Sequence, residues 1–153
     1  MADYIKWIRE RVGHDRIFLV FATACVTNEN GEVLLQRRGD DGKWGLLGGA
    51  LELGESAAEA AVREAREESG LDVRVKQLVG VYTKYEHEYA SGDKTQPVVI
   101  CFECEATGDS GSYDKNETLE LRYFGRDEIP ELSNQQHRDM VDDFFSGKRG
   151  NYR

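Results

Sequence analysis

Residues 56–70, SAAEAAVREAREESG, constrain the chain more than any other segment, because they mark a helix at both ends and load it with charge. Ser56 and Glu59 match the capping box S-x-x-E, and Gly70 stands where a left-handed C-terminal cap is expected. At about 3.6 residues per turn, Glu64, Glu67 and Glu68 fall at i, i+3 and i+4, so their carboxylates leave the helix on nearly one face. Each like-charge pair at that spacing costs roughly 0.2–0.5 kcal/mol. Arg63 can reach Glu67, but Glu64 and Glu68 have no basic residue four positions away. Ala58, Val62, Ala65 and Ser69 form a small-residue face for packing, and the glutamates are expected to one side of it. From there they look back toward the preceding segment, RGDDGKWGLLGGALELGES, whose six glycines predict irregular loop with short extended pieces. Loop and carboxylates together make one candidate site.

The remaining elements follow from hydrophobic period. Asp3 to Val12 places Tyr4, Ile5, Ile8 and Val12 at helical spacing before Gly13, giving an N-terminal helix packed on the domain within residues 1–16. Ile17 to Thr27 reads as a buried strand, Asn28 to Gly31 as a turn, and Glu32 to Arg37 as its antiparallel partner. Strand signals resume at Leu71 to Lys84, Pro97 to Ala106 and Leu119 to Phe124. Ser133 is placed to cap a last helix that carries His137, Met140, Val141, Phe144 and Phe145 on one face, and residues 147–153 read as a frayed, flexible tail. No repeat or linker divides residues 17–146, and 153 residues with 39% hydrophobic content suit a single domain.

Composition narrows the function. A formal net charge of −9 gives no general footprint for nucleic acid or an anionic membrane, so a phosphate-bearing partner needs local positive charge from arginine or a metal. The longest apolar run, Ile17 to Val26, is about half of the ~20 residues that span a bilayer, and the charged segment before it is no signal peptide. A soluble, cytoplasmic protein is expected, with a homodimer left open. Cys101 and Cys104 form a C-x-x-C on a predicted strand, where three-residue spacing sends them to opposite faces and defeats chelation.

The 23 residues from Gly49 to Leu71, GALELGESAAEAAVREAREESGL, resemble the Nudix box, G-x5-E-x7-R-E-U-x-E-E-x-G-U with U apolar. Every fixed position is present at the right spacing. Val33 to Arg38, Trp44 to Gly49 and Glu120 to Pro130 also look like the flanking segments of that family. Leu47 departs from the pattern where many relatives have proline, and Ala65 where a larger aliphatic is usual, which would let the helix pack closer to the sheet. Neither departure removes a charge.

The resemblance implies an α/β/α sandwich with a mixed sheet, of the α+β class. It also implies Mg2+-dependent hydrolysis, with Mn2+ as a substitute, of a nucleoside diphosphate linked to another moiety: ADP-ribose, a nucleoside triphosphate or a dinucleoside polyphosphate. On this reading Glu64, Glu67, Glu68 and the Gly48 carbonyl ligate the metal, Arg63 orients the glutamates, and Glu55 helps hold the loop. A divalent cation turns the carboxylates' repulsion into binding, since magnesium prefers oxygen ligands and sits between carboxylates and phosphates. The general base is Glu64 or, from the later loop, Glu117 with Glu120 behind it. Arg37 and Arg38 end a strand near the site, where a guanidinium fork suits phosphate, and Tyr89 is a candidate for stacking on a base. Tyr82 and Tyr85 read better as packing, and the three histidines as structural or surface residues. The competing reading is a nucleotide sensor that has lost turnover; a role on nucleic acid fits the acidic balance poorly.

Overall fold

The computed structural model describes residues 3–153. In chain order the elements are α1 (Tyr4–Val12), β1 (Ile17–Thr27), β2 (Val33–Arg38), β3 (Trp44–Gly45), β4 (Leu47–Ala50), α2 (Ala57–Ser69), β5 (Leu71–Tyr82), β6 (His87–Glu88), β7 (Lys94–Asp109), β8 (Thr118–Phe124), α3 (Gln135–Ser146) and β9 (Asn151–Tyr152). The strands join in one mixed sheet in the order β3-β2-β1-β7-β5-β9, with β4 on β1, β6 on β7 and β8 on β2. The β1–β7 and β5–β9 pairs are parallel and the other strand pairs antiparallel.

Alternation along the strands sorts the core into two layers. Ala22, Ala24, Val26, Leu34 and Cys104 pack under Ala60, Ala61 and Ala65 of α2. Cys25, Val33, Leu35, Val99 and Cys101 face the other way, against Met140, Val141 and Phe144 of α3. This is the expected α/β/α sandwich, and Cys101 and Cys104 lie on opposite faces as their spacing requires.

The ends of α2 form as their residues dictate. Ser56 Oγ accepts the Glu59 N–H at 3.1 Å, and Gly70 closes the helix at φ 76°. Its buried stripe is Ala60, Ala61, Ala65, Glu68 and Ser69, displaced from the expected Ala58–Val62–Ala65–Ser69 line, so Glu68 lies within the packing face and not beside it. At α3 the cap is Asn134, whose Oδ1 accepts the His137 N–H at 2.9 Å. Ser133, expected in that role, is drawn away by the Trp44 carbonyl, which accepts both its N–H at 2.8 Å and its hydroxyl at 3.2 Å. The N-terminal helix α1 buries none of its residues and is tied on by polar contacts: Tyr4 N–H to the Glu52 carboxylate at 3.1 Å, and Arg9 to the Lys94 carbonyl at 2.7 Å.

Two expectations about chain pairing change. The turn at Asn28–Gly31 forms, with Asn28 Oδ1 accepting from the Asn30 and Glu32 N–H groups at 3.1 and 3.0 Å. Its two strands, however, pair only at Thr27 and Val33. Beyond that rung β1 takes β4 as its antiparallel neighbour over Phe21–Ala24, while β2 turns to β8 and β3. The sheet is therefore forked.

The second change is the tail. Residues 147–153 are ordered: Asn151 and Tyr152 pair with Gly80 and Val81, and Arg153 N–H donates to the Val81 carbonyl at 3.0 Å. The reason is charge. Asp143 and Asp139 on α3 are nearly buried, and Arg153 reaches them at 2.8 and 3.6 Å. Tyr82 and Tyr85 donate their hydroxyls to the same two carboxylates, at 2.8 and 2.5 Å. The tyrosines thus join packing to a polar network that no local pattern announces. A hydrogen bond to a charged group contributes about 1.5–3 kcal/mol, so Tyr82→Phe should lower the urea-unfolding free energy by that amount without altering the slope of the transition.

Candidate active site

The fork between β1–β4 and β2–β8 is where α2 places its acidic face. Glu68 is 8% exposed and spans the fork: its Oε1 accepts the Gly48 N–H of β4 at 2.8 Å, and its Oε2 accepts from Gln36 Nε2 of β2 at 3.3 Å. Thr118 of β8 donates its hydroxyl to the Glu68 carbonyl at 2.8 Å. Burial, with the charge of Glu64 nearby, pushes the Glu68 carboxyl up to about 8. Glu64 is raised as well, by burial first and then by the charges of Glu67 and Glu117, although Arg63 opposes the shift.

Arg63 joins the loop to the helix. Its guanidinium grips both oxygens of Glu55 at 2.6 and 2.9 Å, the Ala50 carbonyl at 3.1 Å, Glu64 at 2.8 Å and Glu67 at 3.3 Å. The Glu55 bond is the chief reason the guanidinium is held firmly charged, and the same bond keeps Glu55 below the usual carboxylate range. Gly49 completes the fit, because a Cβ there would stand 2.4 Å from the Glu64 carboxylate. Gly49→Ala should therefore displace Glu64, cutting turnover far more than it lowers the melting temperature, a comparison that steady-state kinetics and calorimetry on one preparation would make.

The other anticipated residues divide. Glu67 is half exposed at the helix surface. Glu117 is exposed on the loop before β8, held down by the Gly39 N–H that its carbonyl accepts at 2.9 Å, and its charge reaches Glu64. Glu120 is engaged elsewhere, pairing across the strands with Arg37 at 3.6 Å. Arg37 and Arg38 part company at a register shift in β2, and only Arg38 lines the large cavity next to the site, with its guanidinium on Asp40 at 3.1 and 3.2 Å. Tyr89 also lines that cavity and is half exposed.

That cavity, about 560 Å³, lies between the sheet and α3 and runs to Gly48 and Gly49. Its walls include Phe21, Leu46, Pro97, Val99 and Met140, and its rim carries Asp40, Asp41 and Glu88. His87 and His137, read from the sequence as structural or surface residues, both face it. Their signal was absent from local pattern because the β6 segment and α3 meet only in the folded chain.

Among the described residues no three His, Cys, Asp or Glu side chains converge as a ready-made metal cage. The donors nonetheless fit a hard divalent cation. Burial raises both Glu68, which has only neutral hydrogen-bond donors, and Glu64, in spite of its contact with Arg63. The Gly48 N–H points at Glu68 instead of pairing with β1, and along an extended strand a residue's carbonyl points the same way as its N–H.

The raised Glu68 carboxyl has a stability consequence. Its contribution is fully present below its ordinary 4.5 and is lost as pH rises through about 8, because the folded state holds a proton that the unfolded state has released. Metal-free protein should lose melting temperature between those limits, and Glu68→Gln should flatten the slope in calorimetry with a chelator.

Comparison with known proteins identifies the family and the fold. The NUDIX domain family matches residues 18–144. A Bacillus subtilis protein assigned as an 8-oxo-dGTP diphosphatase is 32% identical over 126 residues, covering 82% of this chain and 79% of its own length. The ADP-ribose pyrophosphatase of Methanocaldococcus jannaschii is 29% identical over 140 residues, covering 88% and 79%. Among solved structures, a NUDIX hydrolase from Nitrosomonas europaea superposes with a TM-score of 0.71 at 22% identity, over 88% of this chain and 93% of that one. The chain belongs to the NUDIX family of hydrolases.

Proposed function

We propose that this protein hydrolyses the diphosphate linkage of a nucleoside diphosphate derivative, such as ADP-ribose, a nucleoside triphosphate or a dinucleoside polyphosphate, with Mg2+ or Mn2+ bound. The observation that carries the reading is the fork: Glu68, buried with only neutral hydrogen-bond donors, and Glu64, half-buried on Arg63, stand against the Gly48–Gly49 strand at the end of a 560 Å³ cavity. The relatives named for diphosphatase and ADP-ribose pyrophosphatase activities support the reaction class.

Glu64, Glu67, Glu68 and the Gly48 carbonyl would hold the cation, which when bound supplies Lewis-acid charge to the phosphate oxygens and activates water. The protein's own groups do the rest. Arg63 keeps Glu64 and Glu67 aimed while fastening the loop through Glu55 and Ala50. Gln36 and Gly48 fix the two oxygens of Glu68. On this reading Glu117, exposed and with its charge felt at Glu64, or Glu64 itself takes the proton from the attacking water, whereas Glu120 is tied to Arg37. Arg38 supplies cationic charge from the cavity wall. The box contains no serine, cysteine or histidine beside a base, so water attacks directly and no covalent intermediate forms.

A phosphate-release screen over nucleotide sugars, triphosphates and dinucleoside polyphosphates, with each metal, identifies the substrate. On it, Glu67→Gln should keep the fold and lose turnover by orders of magnitude, since like-charge repulsion is relieved and a charged ligand is gone; near-normal activity would remove Glu67 from the site. Glu117→Gln should lower kcat with KM nearly unchanged, and Glu120→Gln should do little. Reaction in heavy-oxygen water should put label in a product phosphate. Absence of turnover on every diphosphate, with nucleotide binding intact, would favour a sensor.

A further inference from the structure

The cavity beside the site contains two histidines whose hydrogen-bonding sense is set by their neighbours. His137 Nδ1 accepts the Leu46 backbone N–H at 3.2 Å, so that nitrogen is unprotonated and Nε2 carries the hydrogen. Among the described residues Nε2 has no protein partner, and the ring lines the cavity. Burial, together with the charges of Arg38 and His87, holds the ring down to about 3, so it is a neutral donor at physiological pH.

His87 has the opposite sense. Gln136 Nε2 donates to the carbonyls of Tyr82 and Pro97, both at 3.2 Å, which leaves Oε1 as the acceptor facing His87 Nε2 at 3.1 Å. His87 Nε2 therefore bears the hydrogen, and in the neutral ring Nδ1 is a free acceptor with no protein partner among the described residues. Both rings line the same cavity.

We propose that this donor and acceptor read the base of the nucleotide, and that they select bases with a lactam edge, a ring carbonyl beside a ring N–H, as in guanine, hypoxanthine and uracil. The inference rests on the nucleotide reading above. A planar neutral group suits the cavity, where the apolar side chains of Phe21, Leu46, Pro97, Val99 and Met140 stand beside polar groups and the rim carries Asp41 and Glu88, with Arg38 already paired to Asp40. The carbonyl accepts from His137 Nε2–H and the ring N–H donates to His87 Nδ1. Adenine and cytosine, entering with the sugar at the same mouth, present an amino group and a bare ring nitrogen in those places, so donor meets donor and acceptor meets acceptor. A polar site left unpaired in this way discriminates strongly. An inosine, guanosine or uridine derivative is therefore expected to be preferred over ADP-ribose.

The test uses the whole protein and four probes, IMP, AMP, UMP and CMP, titrated by calorimetry. Wild type should bind IMP over AMP and UMP over CMP by about tenfold or more. His137→Asn keeps an acceptor for the Leu46 N–H and has nothing at the Nε2 position, so the preference should fall to near parity while the melting temperature holds. His137→Gln, which can return a donor there, should restore part of it. In the 15N spectrum, the His137 Nε2–H signal should move with IMP and not with AMP. Equal affinities in wild type, a preference for the amino bases, an undiminished preference in His137→Asn, or no binding of any probe would overturn the proposal. Diphosphate hydrolysis without base preference would sink this inference alone, and base preference without hydrolysis would sink the enzymatic reading alone.

Discussion

The approach of α2 to the sheet is the constraint on which the rest of the structure depends. Ala60, Ala61 and Ala65 are completely buried against Ala22 and Ala24 of β1, so the helix lies close to the strands. Small side chains bury little area each, and their packing is not what makes the contact costly to disturb. Closeness forces the next turn of the same helix, with Glu64 and Glu68, into space that larger interface residues would have kept open to water. Gly49 shows how tight that space is, since a single added methyl group would meet the Glu64 carboxylate. The usual larger aliphatic at the position of Ala65 is absent here, in keeping with that short distance.

Burying carboxylates without cations of their own is unfavourable, and the chain offsets it unevenly. Arg63 serves Glu55, Glu64 and Glu67 at once and also secures the loop at Ala50. Burial pushes the Glu68 carboxyl up to about 8, and the neutral donors from Gly48 and Gln36 offset it only in part. Nearby, Gln36 Oε1 is a buried oxygen with no partner, because three acceptors surround the amide nitrogen and leave the oxygen facing none of the donors. Around Glu68 and Gln36 the site is thus short of donors, and Glu68 has no cationic hydrogen-bond partner. On the proposed reading, a hard cation would fill that deficit.

At the other side of the sheet the same principle is met within the chain. Asp139 and Asp143 are buried on α3, but Tyr82, Tyr85 and Arg153 satisfy them. One acidic cluster is closed by the protein itself, and the other is the one proposed to take a cation. Between the two, α3 turns His137 and Gln136 toward the cavity, so a single helix braces the fold and contributes to the wall against which a substrate would lie.

What the sequence by itself determined were the features encoded within a few residues. The α2 limits follow from Ser56, Glu59 and Gly70, the two-sided strands from alternation, the opposite placement of Cys101 and Cys104 from their spacing, and the carboxylate cluster from helical geometry. These are short-range consequences of dihedral preference and period. The tertiary structure decided everything that required two distant segments to meet. It split the β1–β2 hairpin after one rung, because β4 and β8 offered each strand a better neighbour; it moved Glu68 into the packing face; it separated Arg38 from Arg37 at a register shift; and it ordered residues 147–153 through the charge of Arg153. It also gave His87 and His137 their opposite hydrogen-bonding senses, which depend on Gln136 and on the Leu46 backbone and so exist only once β6, α3 and the loop after β3 have come together. Hydrogen bonds between remote groups have no period in the sequence, and that is why they could be found only in the fold.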